Sequence, residues 1–359
     1  MVPFKAPEQL AVVVDLPNAS KIRGMGIKPG ITALIGGGYH GKSTLLNALA
    51  KAVYPHIPGD GRELVVSHPD SVSISSENGR SITGLDISSF ISKLPQDSNP
   101  KSFTTSNASG STSEAAAIVE NVLAGAKLLL IDEDTSAANF LFRDSQMRQL
   151  ILEDPITPFF DRVRELQETF NISTIIIAGG SSQYLGCADQ VIAMRTYIPV
   201  DMTARIKALK LPSPHVPATQ LTISDKRILE PDNFNPQYSN QRLKKNIPVR
   251  IKPLRGQELD ILEYGMEQIS VRCLSGIVTP QQMFTNGYSL LLARRRNLTS
   301  KKYSPTALAE KLMDIIKTEG LSVLQPPHCP PLFFAQIRLP ELAGAINRLR
   351  SLTIQVNEE

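Results

Sequence analysis

The chain has 359 residues, 42% of them apolar and 20% charged, with a formal net charge of +4. That is the composition of a folded globular protein, and no apolar run is long enough to form a membrane-crossing helix. Charge is unevenly placed: residues 1–200 carry 16 Lys and Arg against 20 Asp and Glu, and the remainder carries 22 against 14. This asymmetry points to a basic module joined to a catalytic one, and the length suits two or three domains. Cys187, Cys273 and Cys329 are far apart and lack CxxC spacing, which argues for a reducing compartment and against a disulfide framework or zinc site. The segment "MVPFKAPEQLAVVVDLPNAS" reads as neither a secretion signal nor a clear transit peptide. The cytoplasm is the default location, with an organelle such as the mitochondrion left open.

In chain order, "ITALI" (31–35) reads as a short buried strand, followed by a Gly-rich turn and the helix "KSTLLNALAKAVY". A helical pattern at Thr112–Ala124 leads to an apolar strand at Leu128–Ile131. A second helical pattern at Thr157–Thr169 leads to strands at Thr174–Ala178 and Gln190–Met194. Strands that are apolar throughout and alternate with helices predict an α/β fold with a parallel sheet covered on both faces. Residues 208–257 hold seven prolines and the run "QRLKKNIPVRIKPLRG", the signature of a basic connector with little regular structure. Residues 258–359 read as a small α+β domain, with helices at 258–271, 305–318 and 339–351 and a strand at "LFFAQIRL". The expected division is therefore 1–207, 208–257 and 258–359.

Two motifs carry chemistry. "GGGYHGKST" fits G-x-x-x-x-G-K-[ST] between a strand and a helix. In such a loop, backbone N–H groups around Gly36, Gly37, Gly38, Gly41 and Thr44 cradle phosphates. Lys42 reaches the β- and γ-phosphates, and the Ser43 hydroxyl ligates Mg²⁺. Tyr39 and His40 read as surface residues of the loop. "LLLIDEDTSA" then places Asp132 and Glu133 at the C-terminal end of a strand, the edge where open α/β sheets bind ligands. Asp132 is the second candidate Mg²⁺ ligand, and Glu133 is the candidate general base, catalytic in concert with Lys42. Asp134 reads equally well as a neighbour. Ahead of that strand, Ser111 and Glu114 form a capping box that would open a helix at Thr112, and Ser109-Gly110-Ser111 stands at its entrance.

This order of motifs resembles ATPases of the ABC class. "HIPGDGRE", "ENGRSI", "DISSFI", "ASGSTSEAA", "LLIDEDTSAANF" and "PITPFFDRVREL" look like the family of predicted ATPases of the ABC class, over roughly residues 22–210. The resemblance implies a P-loop ABC-type nucleotide-binding domain and ATP as ligand. It also implies a homodimer in which Ser109, Gly110 and Ser111 close on the γ-phosphate held by the twin subunit. Relatives usually carry a further domain ahead of this core, which the resemblance leads us to expect missing or truncated in this chain. Where a switch histidine would follow the third strand, the chain reads "AGGSSQY", so Ser181 or a backbone N–H is the implied substitute. Phe4 is the sole aromatic upstream of the loop, so an adenine-stacking ring has no evident counterpart, and slow turnover is expected. Glu77 in "SSENGR" stands for the Gln of the usual Q-loop. "HIPGDGRE" reads more readily as a turn than as a nucleotide contact, with Asp60 and Arg62 as a cross-link. Arg143 could reach a phosphate across the dimer or pair with Asp144 or a Glu on the surface.

In the basic half, Arg242, Lys244, Lys245, Arg250, Lys252 and Arg255 form one cluster, and Arg294, Arg295, Arg296, Lys301 and Lys302 another. With Tyr238, Tyr288 and Tyr303 nearby to stack on bases, they suggest nucleic acid, RNA in preference; a solvated basic face is the competing interpretation. The expectation is an ATP-hydrolysing sandwich dimer that drives this module. The alternatives are a soluble subunit of a membrane transporter and a nucleotide-dependent scaffold with negligible hydrolysis.

Overall fold

The computed structural model describes residues 4–18, 21–151, 153–180, 182–212, 214–236, 248–252, 261–327 and 331–357. The chain packs as two compact units, each assembled from two stretches: 1–75 with 127–221, and 76–126 with 222–359.

The first unit is built on a six-stranded sheet. Its spatial order is Ile198–Asp201, Gln190–Arg195, Ile31–Ile35, Ser173–Ile177, Leu128–Asp132 and Ser71–Ile74. All neighbours run parallel except the first pair, a hairpin. Alternate residues of one strand serve opposite faces. Leu34 and Ile192 pack with Leu46, Leu49 and Ala50 of the helix Lys42–Lys51, whereas Ala33 and Val191 pack with Ile206 of the short helix Thr203–Lys207. Covering both faces is what makes these strands apolar throughout. The helix Phe159–Phe170 adds Phe160, whose ring meets Tyr184 edge-on at 5.2 Å, and Tyr184 donates its hydroxyl to Leu141 O at 2.6 Å. Cys187 is buried, and that burial pushes its thiol up to about 12 despite the opposing charge of Arg164.

In the second unit, the helix Gly110–Leu123 packs on Leu339–Asn347, which packs in turn with Pro280–Arg295 and Pro305–Glu319, and Ile82–Leu85, paired with Phe103–Thr105, lies against Gly110–Leu123. A three-stranded antiparallel sheet, Val249–Lys252, Ile261–Tyr264 and Glu267–Ser270, and the pair Arg227–Leu229 with Ile354–Val356 complete it.

Several sequence expectations are corrected here. Residues 261–270 are a hairpin and not a helix: Gly265 turns the chain at φ +62°, and Ile261, Tyr264 and Ile269 suit a pleated, half-buried surface. "LFFAQIRL" makes no strand over 332–338. Its backbone bonds to side chains of the helix Pro280–Arg295: Thr285 Oγ1 donates to Ala335 O at 2.7 Å and Gln282 Nε2 donates to Gln336 O at 3.1 Å. That helix was not expected, because Gln282, Thr285, Asn286 and Ser289 are buried on it and erase an amphipathic stripe. The last helix stops at Asn347, and the expected connector holds the strands Arg227–Leu229 and Val249–Lys252.

Candidate nucleotide site

The phosphate loop leaves the buried strand Ile31–Ile35 and turns into the helix Lys42–Lys51. Gly36 has φ +142°, and a Cβ there would lie 2.4 Å from Met194 O. Gly41, at φ +95°, is the N-cap, and a Cβ there would meet Tyr197 Cδ1 at 2.7 Å. No side chain caps the helix, so its first N–H groups have no side-chain acceptor and its positive end suits an anion. Lys42 Nζ folds back over the loop, donating to Gly36 O at 2.8 Å and Gly37 O at 2.9 Å. Thr44 is exposed on the first turn, and a Cβ on Gly38 would meet only open space.

The hairpin Gln190–Arg195 and Ile198–Asp201 braces the loop. His40 Nδ1 lies 3.2 Å from Met194 O, and Tyr197 donates its backbone N–H to His40 O at 3.1 Å. Tyr197 turns at φ +68° and stays half exposed, while Tyr39 sits at φ +60° and is 99% exposed. The bracing residues lie 154 or more positions from the loop residue they hold, and only strand adjacency in the sheet joins them, so motif spacing could not reveal them.

Two carboxylates stand at the end of the strand Leu128–Asp132, which Ser173–Ile177 separates from the phosphate-loop strand. Ser43 Oγ donates to Asp132 Oδ2 at 2.9 Å, which sets a hydroxyl beside a carboxylate as a hard-cation donor pair. Asp132 Oδ1 accepts from Asp134 N at 3.1 Å, so the backbone of Asp134, whose side chain is exposed, orients that carboxylate. Glu133 Oε2 accepts from Gly179 N at 2.7 Å and Gly180 N at 2.9 Å. Oε1 carries no hydrogen bond among the described residues. A Cβ on Gly180 would sit 3.0 Å from Oε1, so the glycine pair lets the backbone approach the carboxylate. Ser181, the expected substitute for a switch histidine, lies outside the described residues.

In the second unit the helix Gly110–Leu123 begins two residues earlier than expected. Ser109, not Ser111, is its N-cap: its backbone is extended (φ −72°, ψ 169°) and its Oγ accepts from Thr112 N at 3.3 Å. Ser109 is exposed, Gly110 half-buried and Ser111 buried.

A family model described as the P-loop domain of ABC_ATPase matches residues 1–227. The chain belongs to the ABC_ATPase family. A second model, described as the MRB1590 C-terminal domain, matches residues 254–355, so the fold is an ABC-type P-loop ATPase with a separate C-terminal domain. The Uncharacterized protein MJ1628 of Methanocaldococcus jannaschii is 34% identical over 171 residues, 46% of this chain; the match spans only 36% of that relative's length. Among solved structures, cbiO1 from Clostridium perfringens, part of the ABC transporter complex cbiONQ, is 19% identical with a TM-score of 0.33, covering 55% of this chain and 88% of that one. A bacterial Atm1-family ABC exporter with ATP bound is 17% identical with a TM-score of 0.33, covering 54% and 38%.

Other sequence candidates of this ABC ATPase have local partners. Arg143 Nε pairs with Asp154 at 2.6 Å and not with Asp144, which caps the helix Ser145–Leu150; Arg62 makes two bonds to Asp60 inside one turn, which holds the Asp60 carboxyl below its ordinary value. Glu77 is bound by Arg348, with Arg348 Nη2 at 2.8 Å. Tyr288 is not a surface stacking ring: it is 2% exposed and meets Phe334 edge-on at 5.5 Å, because it faces the core of the C-terminal helices. Tyr303 is half-buried against the same core. Arg295 donates to the carbonyls of Val323 and Gln325, and Arg296 pairs with Glu319 at 2.6 Å, so both serve the fold. Arg250, Arg294, Lys301 and Lys302 are exposed. Tyr238, Arg242, Lys244, Lys245 and Arg255, and the side chain of Lys252, lie outside the described residues.

Proposed function

We propose that this ABC ATPase binds ATP with Mg²⁺, hydrolyses it slowly as a homodimer with two nucleotides sandwiched between subunits, and uses the cycle to act on RNA through its basic C-terminal half. The observation that carries the reading is the meeting, at one sheet edge, of the Lys42 ammonium, the Ser43–Asp132 pair and an anchored Glu133. Ser43 and Asp132 are oxygen donors of the kind Mg²⁺ takes, and the open glycine loop leaves room for phosphate oxygens. The ion would neutralise charge on the phosphate oxygens.

Lys42 would exchange its two carbonyl acceptors for β- and γ-phosphate oxygens. With Oε2 of Glu133 held by two N–H groups, Oε1 accepts a proton from water as its oxygen attacks the γ-phosphorus. The bond from that phosphorus to the bridging oxygen breaks, and ADP leaves with the electron pair. The exposed Ser109, capping a helix with its positive end outward, suits the γ-phosphate of a partner's ATP. The exposed Arg250, Arg294, Lys301 and Lys302, on the half with excess positive charge, support RNA as the ligand.

Sedimentation of wild type and Glu133→Gln, with and without Mg·ATP and oligo-RNA, tests the reading. Glu133→Gln is expected to be dimeric with ATP and to lose turnover, with RNA sedimenting alongside. A variant that stays monomeric at saturating ATP removes the sandwich. Pairing without RNA binding would favour the transporter or scaffold alternatives.

A further inference from the structure

The helix that carries Ser109 is held at its entrance by the end of the C-terminal domain. Two loops flank that entrance, residues 77–80 and 105–108. They are tied to each other by Gly79 N to Ala108 O at 2.8 Å and Ala108 N to Arg80 O at 3.0 Å, and to the helix by Glu77 N to Ser113 Oγ at 2.9 Å. Arg348, which follows the helix Leu339–Asn347, donates Nε to Glu77 Oε2 at 3.0 Å. Arg350 donates to Ser106 O at 2.6 Å and Gly79 O at 2.9 Å, one carbonyl from each loop. Glu267, on the hairpin of the same domain, takes the Ser351 hydroxyl and N–H and the Arg350 N–H. Further along, Ile354 packs on Gly84, where a Cβ would lie 1.9 Å from Ile354 Cδ1.

The Glu77–Arg348 pair, half-buried at Glu77 and buried at Arg348, lies next to a second one, Arg80–Glu120 at 2.5 Å, so four charges share one largely enclosed space. Burial pulls the Arg80 guanidinium below its ordinary value, against the attraction of Glu120. Arg348 is also opposed by burial, but Glu77 and Glu120 outweigh that and raise it. A buried ion pair with one member removed leaves an uncompensated charge, so separating either partner from these pairs is costly. Arg350 differs, since it is exposed and its two bonds to carbonyls add little to the core.

We infer that Arg348, acting through Glu77, and Arg350, acting through the Gly79 and Ser106 carbonyls, are positioning residues that set where Ser109 stands, so that the C-terminal domain governs sandwich closure. This rests on the reading that Ser109 meets a partner's ATP. It adds that the domain which would take RNA is the domain that aims the helix, so RNA binding and nucleotide-driven pairing are linked. Linkage of this kind is reciprocal in binding free energy: RNA that tightens pairing is itself bound more tightly by the ATP-paired form.

Arg350→Ala tests the inference without touching buried charge, and Glu77→Gln with Arg348→Met replaces the buried pair by neutral groups of similar size. Three quantities are measured in the Glu133→Gln background: affinity for a fluorescent ATP analogue at low protein concentration, the ATP-dependent dimer constant, and the change in that constant on adding oligo-RNA. Arg350→Ala is expected to leave analogue affinity within about twofold, weaken pairing about tenfold and abolish the RNA effect, in line with common coupling energies. Arg350→Lys, which keeps one donor group, is expected to restore part of the pairing. Equal pairing and an unchanged RNA effect in Arg350→Ala and in the double variant, both with wild-type circular dichroism, would overturn the inference and leave the sandwich standing. If the parent itself fails to pair with ATP, it is the sandwich reading that falls.

Discussion

Glu133 owes its place to two glycines. Its Oε2 takes both N–H groups of Gly179 and Gly180, so among the described residues the carboxylate is aimed by backbone. Gly180→Ala would put a Cβ 3.0 Å from Oε1. A reacting group displaced by a fraction of an ångström loses rate before it loses binding, so kcat is expected to fall about tenfold with KM for ATP nearly unchanged. Steady-state kinetics with a thermal melt checks this, and an unaltered kcat would show that the amides do not position the carboxylate. The motif "GKST" made Lys42, Ser43 and the glycines legible, because phosphate chemistry demands those residue types at those intervals. The Gly179–Gly180 contact was not legible as a carboxylate holder: the sequence showed a missing histidine, and only the adjacency of two parallel strand ends revealed what the backbone does instead.

Among the elements, the helix Gly110–Leu123 separates capping from recognition. Asp caps as well as Ser, so Ser109→Asp keeps the bond to Thr112 N and leaves stability within about 0.5 kcal/mol. It also places a negative charge where a phosphate is proposed to dock. The expected result is an unchanged melting temperature with ATP-driven pairing abolished, read by calorimetry and sedimentation. Undiminished pairing would mean that this helix end meets no phosphate. The misplaced cap has a plain cause. Ser111-x-x-Glu114 and Ser109-x-x-Thr112 both fit a helix start, and the turn is decided by Ala108, whose backbone N–H and carbonyl are taken up by the neighbouring loop. The helix Pro280–Arg295 was missed for a related reason, since its buried Thr285 and Gln282 bond to a partner segment that spacing cannot reveal.

For the whole molecule, the testable quantity is the salt dependence of RNA binding. The second half holds the excess positive charge, and Lys301 and Lys302 are exposed there. Each phosphate neutralised on a single strand contributes about 0.7 to the slope of log affinity against log salt. Lys301→Ala with Lys302→Ala is therefore expected to reduce the slope by about 1.4, as read by anisotropy of labelled oligo-RNA across a salt series. No change in slope would remove those lysines from the interface. Among the described residues no helix is long and apolar enough to cross a membrane.

The sequence alone determined the local chemistry: a glycine cradle with its lysine, two acids at a strand end and a small-residue helix start. Each depends on residue type over a few neighbouring positions, where backbone geometry leaves little choice. Tertiary structure decided the allegiance of residues 76–126, which pack with the C-terminal residues although the chain runs from them directly into the carboxylate strand. Glu77 and Arg348 illustrate the difference, for two charges 271 positions apart become partners only when folding withdraws both from most of the solvent.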